Sequence, residues 1–307
     1  MQTKKKGVFS KLANLVPALR EIRDIRTNLR QLQRQMETGF ATVRMAQLQS
    51  LQEAHLARDP RYQDPKRLLK YSFQVNSQNG EDGIIREIFR RIGTTDRIFL
   101  EIGVGDGTEN NTAFLVSQGW KGFWIDGSDR FVAKATSAGL DRQIGLLSAF
   151  VSRENINSQL QQLNVPKEFD LFSLDVDFNT YYIWEAMTAY RPRVVVVEYN
   201  AGLPSDLEWK VRYNSSAMWD GSLNFGASLK ALELLGRNLG YNLVGCDFHG
   251  NNAFFVRNDL VGDHFAAPFT SENHFEPSRL ALSYSRPVKN VVLDRLDDRP
   301  LLSTDKP

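Results

Sequence analysis

Two acidic residues flank a glycine-rich turn and indicate what the turn could bind. An apolar run ends at Glu101, glycines follow at positions 103, 105 and 107, and a second apolar run ends at Asp126. Glu101 would repel a pyrophosphate, but it could bind an α-ammonium group through a charge-assisted hydrogen bond. Asp126 could accept hydrogen bonds from both hydroxyls of a ribose. An ammonium group, a ribose and no phosphate together describe S-adenosylmethionine.

The spacing of the glycines argues against a dinucleotide. Dinucleotide-binding turns read G-x-G-x-x-G, and their third glycine packs the helix against the strand. In this chain the third glycine comes one residue early, and Thr108 stands in the expected place. An ordinary strand–turn–helix that needs glycine only for its backbone angles is the alternative interpretation. The two acids favour the cofactor site, with Gly103 and Gly105 at the turn, over this alternative and over an NAD-dependent oxidoreductase.

Polar side chains also follow the later predicted strands. In an open α/β sheet, ligands bind outside the carboxyl ends of the strands. Any one of these residues alone could be a helix cap or a turn residue, and their concentration is therefore the functional signal. The set comprises Glu101, Asp126, Asp175, Asp177, Glu198, Asn200, Asp247, His249, Asn251 and Asn252.

Methyl transfer to a hydroxyl requires near-attack geometry and removal of a proton. An ordinary carboxylate, with a reference pKa of about 3.9 for Asp, is a weak base for a hydroxyl. His249 or a divalent cation would be the stronger activator. Asp175, Asp177, Glu198 and Asn200 are hard oxygen ligands compatible with magnesium or manganese.

The alternative is a metal-free site, in which Asp175 holds the cofactor and Asp177 orients His249. The metal-free version is favoured slightly, because no spacing in the sequence is diagnostic of a metal. The predicted catalytic residues are Asp175, Asp177 and His249, and the predicted acceptor contacts are Glu198, Asn200 and Trp219.

The elements that position these residues alternate between strands and helices. This alternation predicts a Rossmann-like, doubly wound, mostly parallel α/β sheet. The chain then finishes in a hairpin, which adds a terminal antiparallel strand. The predicted strands are 98–101, 122–125, 146–151, 169–174, 194–197, 241–245 and 253–257. We predict a domain over 71–258, preceded by a linker over 58–70 and followed by an extension over 259–307.

Residues 1–57 have the pattern of a basic helical arm with a short coiled coil. Its apolar residues recur at alternating steps of three and four, and a stutter interrupts them near Phe40. We predict a homo-oligomer through residues 12–51. The alternatives are peripheral contact of Lys4–Lys6 and neighbouring apolar residues with an anionic membrane, or packing on the domain. The apolar positions are Ile22, Ile25, Leu29, Leu32, Met36, Phe40 and Val43.

Charge and composition exclude several classes. Residues 1–44 carry a net charge of +7 and the remainder −5, which disfavours a nucleic-acid partner. The single cysteine, Cys246, excludes a disulfide framework and a cysteine-based zinc cluster. No apolar run is long enough for a membrane span or a secretory signal. We therefore expect a cytoplasmic protein, or one peripheral at the inner face of the membrane.

Five segments resemble the FkbM-type class I S-adenosylmethionine-dependent methyltransferases, which O-methylate sugars and polyketides. The resemblance covers residues 70–258. The segments are SQNGEDGII (77–85), FLEIGVGDGTENNTAFLVSQGWKGFWIDGS (99–128), DLFSLDVDFNTYYIW (170–184), VVVVEYNA (194–201) and CDFHGNNAFFVR (246–257). The resemblance implies that Asp175 lies beside the sulfonium. It also implies that Gln78 and Glu81 line the methionine end, Glu101 and Gly103 the amino-acid moiety, Asp126 and Ser128 the ribose, and Ala149 and Phe150 the adenine.

One departure from the family pattern bears on function. Relatives commonly read D-x-D-G-N-D after the fourth strand, whereas residues 175–180 read DVDFNT, with Phe178 and Thr180 in place of a glycine and an acid. Phe178 either reshapes the acceptor pocket or marks a member without turnover. Two functions follow: an O-methyltransferase acting on a hydroxyl of a glycan or another polar metabolite, and a catalytically weakened scaffold that binds partners through its coiled coil.

Overall fold

The computed structural model describes residues 23–279 except 34, 37, 38, 41, 42, 44, 45, 48 and 106. The chain divides into two compact units, residues 1–54 and 55–307. Every described residue from 23 to 58 is helical, and we use the label α1 for these described residues alone. The predicted apolar strip is more than half exposed at each described position, from Ile25 (52%) to Val43 (56%). Residues 4–6, Ile22 and residues 280–307 lie outside the described residues.

The second unit contains a seven-stranded sheet. Its strands are β1 (Ile98–Ile102), β2 (Lys121–Asp126), β3 (Ile144–Ser148), β4 (Glu168–Leu174), β5 (Arg191–Glu198), β6 (Tyr241–Cys246) and β7 (Asn252–Arg257). The strand order is β3-β2-β1-β4-β5-β7-β6. β1 to β5 are parallel, and β7 lies antiparallel between β5 and β6. The predicted Rossmann-like, doubly wound fold with a terminal antiparallel strand is confirmed.

Helices cover both faces of the sheet. They are α2 (Glu81–Ile92), α3 (Ala113–Ser117), α4 (Asp129–Ser137), α5 (Ile156–Gln162), α6 (Thr180–Ala186), α7 (Leu229–Leu239), α8 (Asn258–Val261) and α9 (Ser271–His274). The valine run in β5 shows how they pack. Val195 and Val197 belong to one buried apolar cluster, whereas Val194 and Val196 belong to the other. A continuous apolar run therefore fits a strand that is covered on both sides.

Strand β3 differs from its prediction at both ends. It pairs with β2 from Ile144 opposite Gly122 to Ser148 opposite Asp126. The strand begins two residues before the predicted 146–151 and stops where β2 stops. Ala149 and Phe150 consequently lie in the loop after the strand, at the edge where the other strand ends meet.

Residues 58–70, predicted as a linker, instead fold onto the domain. They contain short 3₁₀ helices at Pro60–Gln63 and Leu69–Tyr71. Tyr62 and Leu68 are buried, and the Tyr62 hydroxyl donates a hydrogen bond to Glu276. Arg61 forms an ion pair with the same carboxylate at 3.2 Å. The described part of the predicted extension, 259–279, is therefore packed against the segment that precedes the sheet.

Candidate functional site

The glycine turn after β1 allows two strand ends to approach each other closely. Gly103 has a φ of 84°, and a β-carbon at this position would lie 1.5 Å from the backbone oxygen of Asp175 after β4. Gly105 also has a positive φ, and its N–H donates a hydrogen bond to Asp126 Oδ2 at 2.8 Å. The turn is thus held between the residue after β4 and the last residue of β2.

A cavity of about 340 Å³ lies beside this turn. Six predicted site residues line it together: Gln78, Glu81, Glu101, Gly103, Gly105 and Asp175. The other lining residues are Val104, Thr108, Glu109, Asn110, Asn111, Asn251 and Asn252. The volume is in the range of small-molecule sites. The cavity lies at the carboxyl ends of the parallel strands, where ligands bind in doubly wound sheets.

Glu101 is almost completely buried at the cavity wall, with 2% of its surface exposed. Its two carboxylate oxygens accept five hydrogen bonds, three of them from the backbone N–H groups of Asn111 and Thr112 and the side chain of Asn110. The Thr112 and Ser173 hydroxyls donate the others. Burial raises the pKa of Glu101, and these donors oppose that effect. Glu101 therefore fixes the 110–112 loop to the sheet at the wall of the cavity.

Two amide oxygens at the cavity are buried and have no hydrogen-bond partner: Oδ1 of Asn110 and Oδ1 of Asn252. Their orientation is fixed because each amide nitrogen donates to a carboxylate, Asn110 to Glu101 and Asn252 to Glu81 at 2.8 Å. Buried acceptors without donors are costly. A ligand with several donors, such as an ammonium group, would satisfy both. Neither asparagine is among the residues predicted for the site, although Asn252 belongs to the polar set at the strand ends.

The residues predicted for the ribose and adenine lie on the other side of the turn. Asp126 Oδ1 accepts a hydrogen bond from the Ser128 N–H at 2.8 Å, and the Asp126 carbonyl accepts one from Ala149 at 2.9 Å. Phe150 is 48% exposed and lies next to Gly127. These four residues are gathered at the ends of β2 and β3. Their contact with a ribose and an adenine stays a prediction.

Three carboxylates meet at the ends of β4 and β5. One oxygen from each of Asp175, Asp177 and Glu198 lies within 4.8 Å of the others. Burial, followed by the charge of Asp177, raises the pKa of Asp175 to about 7. Burial and the charge of Asp175 raise the pKa of Glu198 well above its ordinary value. We call these three residues the acid group.

Asn200, which was predicted together with these three carboxylates, bonds to the loop that follows it. Its Nδ2 donates to the backbone oxygens of Leu223 and Phe225, at 2.8 and 3.0 Å, and its Oδ1 accepts from the Gly202 N–H. Asn200 is therefore engaged in folding the loop over 201–225. Trp219, in the same loop, donates to the Ser222 carbonyl and is 44% exposed. Trp219 is outside the lining of the cavity beside the turn.

His249 is buried away from the cavity lining. Its Nδ1 has no hydrogen-bond partner and lies 4.0 Å from Asp247 Oδ1. Burial, and then the charge of Arg279, lowers the pKa of His249 to about 4. Asp247 accepts hydrogen bonds from the backbone N–H groups of His249, Asn251 and Asn252. The Asp247 carboxylate thus shapes the hairpin turn, and His249 has Asp247, not Asp177, as its close acidic neighbour.

A second cavity, of about 460 Å³, adjoins the turn that follows β4. Phe178 forms one wall and packs against a small apolar cluster with Trp209 and Val211. Asn179 ties the turn to the facing loop through a 2.7 Å hydrogen bond to the Asn214 carbonyl. The remaining lining residues are Arg212, Tyr213, Asn214 and Ser215. The residue that departs from the family pattern is therefore a wall of a cavity.

No helix within the described residues combines the length and apolar composition needed to cross a membrane.

No protein-family model matches the sequence, and no curated protein matches it. Among solved structures, a provisionally assigned caffeoyl-CoA O-methyltransferase from Staphylococcus aureus is 14% identical over 69% of this chain and 99% of its own, with a TM-score of 0.42. The N-terminal domain of EvdMO1, solved with SAH and D-fucose, is 11% identical over 68% of this chain and 94% of its own, with a TM-score of 0.38.

The mitomycin 7-O-methyltransferase MmcR is 13% identical to this chain, with a TM-score of 0.34. The match covers 56% of this chain and 53% of MmcR, so that the chain spans about half of the length of that protein. Similarity at these levels does not assign an activity.

Proposed function

We propose that this chain is an S-adenosylmethionine-dependent O-methyltransferase, related to the FkbM type, that acts on a hydroxyl of a glycan or another polar metabolite. One observation carries the proposal. The cavity beside the glycine turn holds two buried acceptor oxygens without donors, on Asn110 and Asn252. The carboxylates of Glu81 and Glu101 lie at the same cavity and make it favourable for a cation.

The cofactor would be held by residues on both sides of the turn. Asn110 and Asn252 would accept hydrogen bonds from its α-ammonium group, with Glu81 and Glu101 supplying the negative potential. Asp126 would bind the ribose hydroxyls, and the exposed ring of Phe150 would stack on the adenine. When bound, S-adenosylmethionine supplies a methyl group whose carbon bonds to the acceptor oxygen as the carbon–sulfur bond breaks and sulfur keeps the electron pair.

Asp175 connects the two halves of the proposed site. Asp175 is a lining residue of the cofactor cavity, and its side chain belongs to the acid group. An acceptor hydroxyl next to Asp175 would therefore face both the methyl donor and the carboxylates. Holding the two reactants in this arrangement is the main contribution that a protein makes to an in-line displacement.

The second cavity suits a polar acceptor with a ring. Phe178 and Tyr213 offer aromatic faces, and Asn214 and Ser215 offer hydrogen-bonding groups. An aromatic surface combined with amide and hydroxyl groups matches a sugar, which has apolar ring faces and polar edges. This combination supports a glycan or a related metabolite as the acceptor.

Calorimetry with S-adenosylmethionine tests the proposal. We expect the wild-type chain to bind the cofactor, and Asn252→Ser to weaken binding at least tenfold, because a hydrogen bond to a charged group contributes about 1.5–3 kcal/mol. Asn242→Ser is the matched control, since Asn242 bonds to Asn258 at the other end of the hairpin. Absence of both heat and thermal shift at millimolar cofactor would remove the proposal.

Phe178 and Thr180 motivate a second function, a scaffold that retains the fold without turnover. Phe178 packs into the apolar cluster of the acceptor side, and the Thr180 hydroxyl is buried without a partner. Cofactor binding without methyl transfer to any cellular extract, together with unchanged cellular function in Asp175→Asn, would favour the scaffold over the enzyme.

The arm supports a further part of this proposal, self-association through residues 12–51. The apolar positions from Ile25 to Val43 recur at coiled-coil spacing and are more than half exposed. Contact of the basic N-terminus with the inner face of the membrane, in the cytoplasm, is the alternative role for the same arm.

A further inference from the structure

The acid group gathers its three carboxylates from two adjacent parallel strands. Leu174 of β4 is in register with Val197 of β5, so that Asp175 and Glu198 follow at the same level of the sheet. One oxygen from each member lies within 4.8 Å of the others. Oxygen ligands bind magnesium at about 2.1 Å and calcium at about 2.4 Å, so two ligands of one ion are separated by at most about 4.2 Å for magnesium and about 4.8 Å for calcium. The acid group meets the larger limit as it stands, and a closure of about 0.6 Å would meet the smaller one.

The burial of Glu198 and its hydrogen bonding also point to a cation at the acid group. Only 8% of its surface is exposed, and its Oε2 atom is buried without a hydrogen-bond partner. The charges that act most strongly on it are those of Asp175 and Asp177, which are of the same sign. A backbone hydrogen bond from Asp177 stabilises the Glu198 charge in part, but the charges of Asp175 and Asp177 oppose it and Oε2 has no donor, so that the compensation that a buried charge requires is incomplete. A cation between the three carboxylates would provide it.

The backbone holds Asp177 in the conformation that this arrangement needs. Asp177 has a φ of 60°, in the left-handed region that few residues other than glycine adopt. The residues on either side are joined by a hydrogen bond from the Phe178 N–H to the Val176 carbonyl at 2.6 Å. This tight turn holds Asp177 in the position in which one of its carboxylate oxygens lies within 4.8 Å of the other two.

We infer that Asp175, Asp177 and Glu198 bind one divalent cation, magnesium or manganese, in the methyl-acceptor half of the site. Three carboxylate ligands leave coordination positions for water or for a hydroxyl of the acceptor. A bound cation lowers the pKa of a coordinated hydroxyl, so that a weak base such as water can accept the proton that the hydroxyl loses when its oxygen bonds to the methyl carbon. The catalytic role rests on the proposed function, whereas cation binding itself does not.

Manganese binding to the full chain, measured by electron paramagnetic resonance without S-adenosylmethionine, tests the inference. We expect one Mn²⁺ per chain, displaced by excess Mg²⁺, and at least tenfold weaker binding in Asp177→Asn and Glu198→Gln. Asparagine tolerates the left-handed backbone of position 177, and glutamine preserves the shape of Glu198. Asp206→Asn, at an exposed acid in the 201–225 loop, is the matched control and should bind as the wild type does.

Two results would overturn the inference: no saturable Mn²⁺ binding at millimolar metal, or equal affinity in the wild type and both variants. Cofactor calorimetry on the same samples separates the two proposals. A chain that binds Mn²⁺ but not S-adenosylmethionine overturns the methyltransferase and supports the cation site. A chain that binds S-adenosylmethionine but not Mn²⁺ overturns only the cation site.

Discussion

The backbone oxygen of Asp175 occupies the space that a side chain at position 103 would need. A β-carbon on Gly103 would approach this oxygen to 1.5 Å. We predict that Gly103→Ala destabilises the fold by more than about 2 kcal/mol, because the strand ends must separate and the left-handed conformation adds strain. Urea unfolding measures the loss.

The control for this variant is Gly119→Ala. Gly119 also has a positive φ, and nothing lies within 4 Å of a β-carbon placed there. Gly119→Ala should lower the free energy of unfolding only by the cost of the left-handed conformation, about 1 kcal/mol. Equal losses in the two variants would show that contact with Asp175 is unimportant.

Glu101→Gln is predicted to release the 110–112 loop. Glutamine keeps the size of the side chain, but its amide nitrogen cannot accept hydrogen bonds from Asn110 and Thr112. Leaving buried donors unpaired should lower the free energy of unfolding by about 1–3 kcal/mol. Trp124 fluorescence reports the change locally, because its indole N–H donates to the Thr112 hydroxyl at 2.8 Å. Glu109→Gln, at an exposed position on the same cavity, should leave both the stability and the fluorescence unchanged.

Acid should destabilise the domain through His274. Burial, and then the charges of Arg67 and Arg61, lowers the pKa of His274 from 6.5 to about 3. As pH falls through 6.5 the unfolded chain binds a proton that the folded chain does not bind until about pH 3. The neutral form of His274 therefore stabilises the folded state fully above pH 6.5. Below pH 6.5 the free energy of unfolding falls by about 1.4 kcal/mol per pH unit.

Urea unfolding between pH 4 and 7 measures how the free energy of unfolding depends on pH in the wild type and in His274→Gln. In the variant, the slope should be smaller by about 1.4 kcal/mol per pH unit, the contribution of one proton. His264→Gln, at an exposed histidine, should keep the wild-type slope. A His274→Gln chain with an unchanged slope would contradict the prediction.

Charges placed on the apolar strip should dissociate an oligomer. We predict that the double variant Leu29→Glu, Leu32→Glu converts the chain to monomers, because the a and d positions of a coiled coil do not tolerate buried acids. Sedimentation equilibrium gives the mass. Thr27→Glu with Gln31→Glu adds the same charge beside the strip and should leave the mass unchanged. A monomeric wild type would refute self-association through the arm.

Regular patterns in the sequence predicted the sheet, because each strand end and each apolar run is a local signal. The valines of β5 and the acids after β4 and β5 are found where strand alternation placed them. The 58–70 segment was not predictable in this way. Its buried Tyr62 depends on Glu276, which is 214 residues away, and no local pattern reports such a partner.

The candidate site also combines features that local sequence patterns predict with features that depend on distant partners. The acids and glycines of the sequence predicted residues that line the cavity, whereas the hydrogen bonds that Glu101 accepts from Asn111 and Thr112 follow from the fold. The unpartnered oxygens of Asn110 and Asn252 follow from the orientation of two amides. Only three-dimensional hydrogen-bonding partners determine that orientation.

Asp175 is shared between two compartments, since its main chain abuts Gly103 and its side chain belongs to the acid group. A ligand that fixed Asp175 from one side would therefore alter the free energy of binding on the other. Thermodynamic linkage makes such an effect reciprocal: if a cation tightens cofactor binding by some factor, the cofactor tightens cation binding by the same factor. The close approach of Gly103 to the Asp175 backbone would then make the binding of two ligands cooperative, although the ligands need not touch each other.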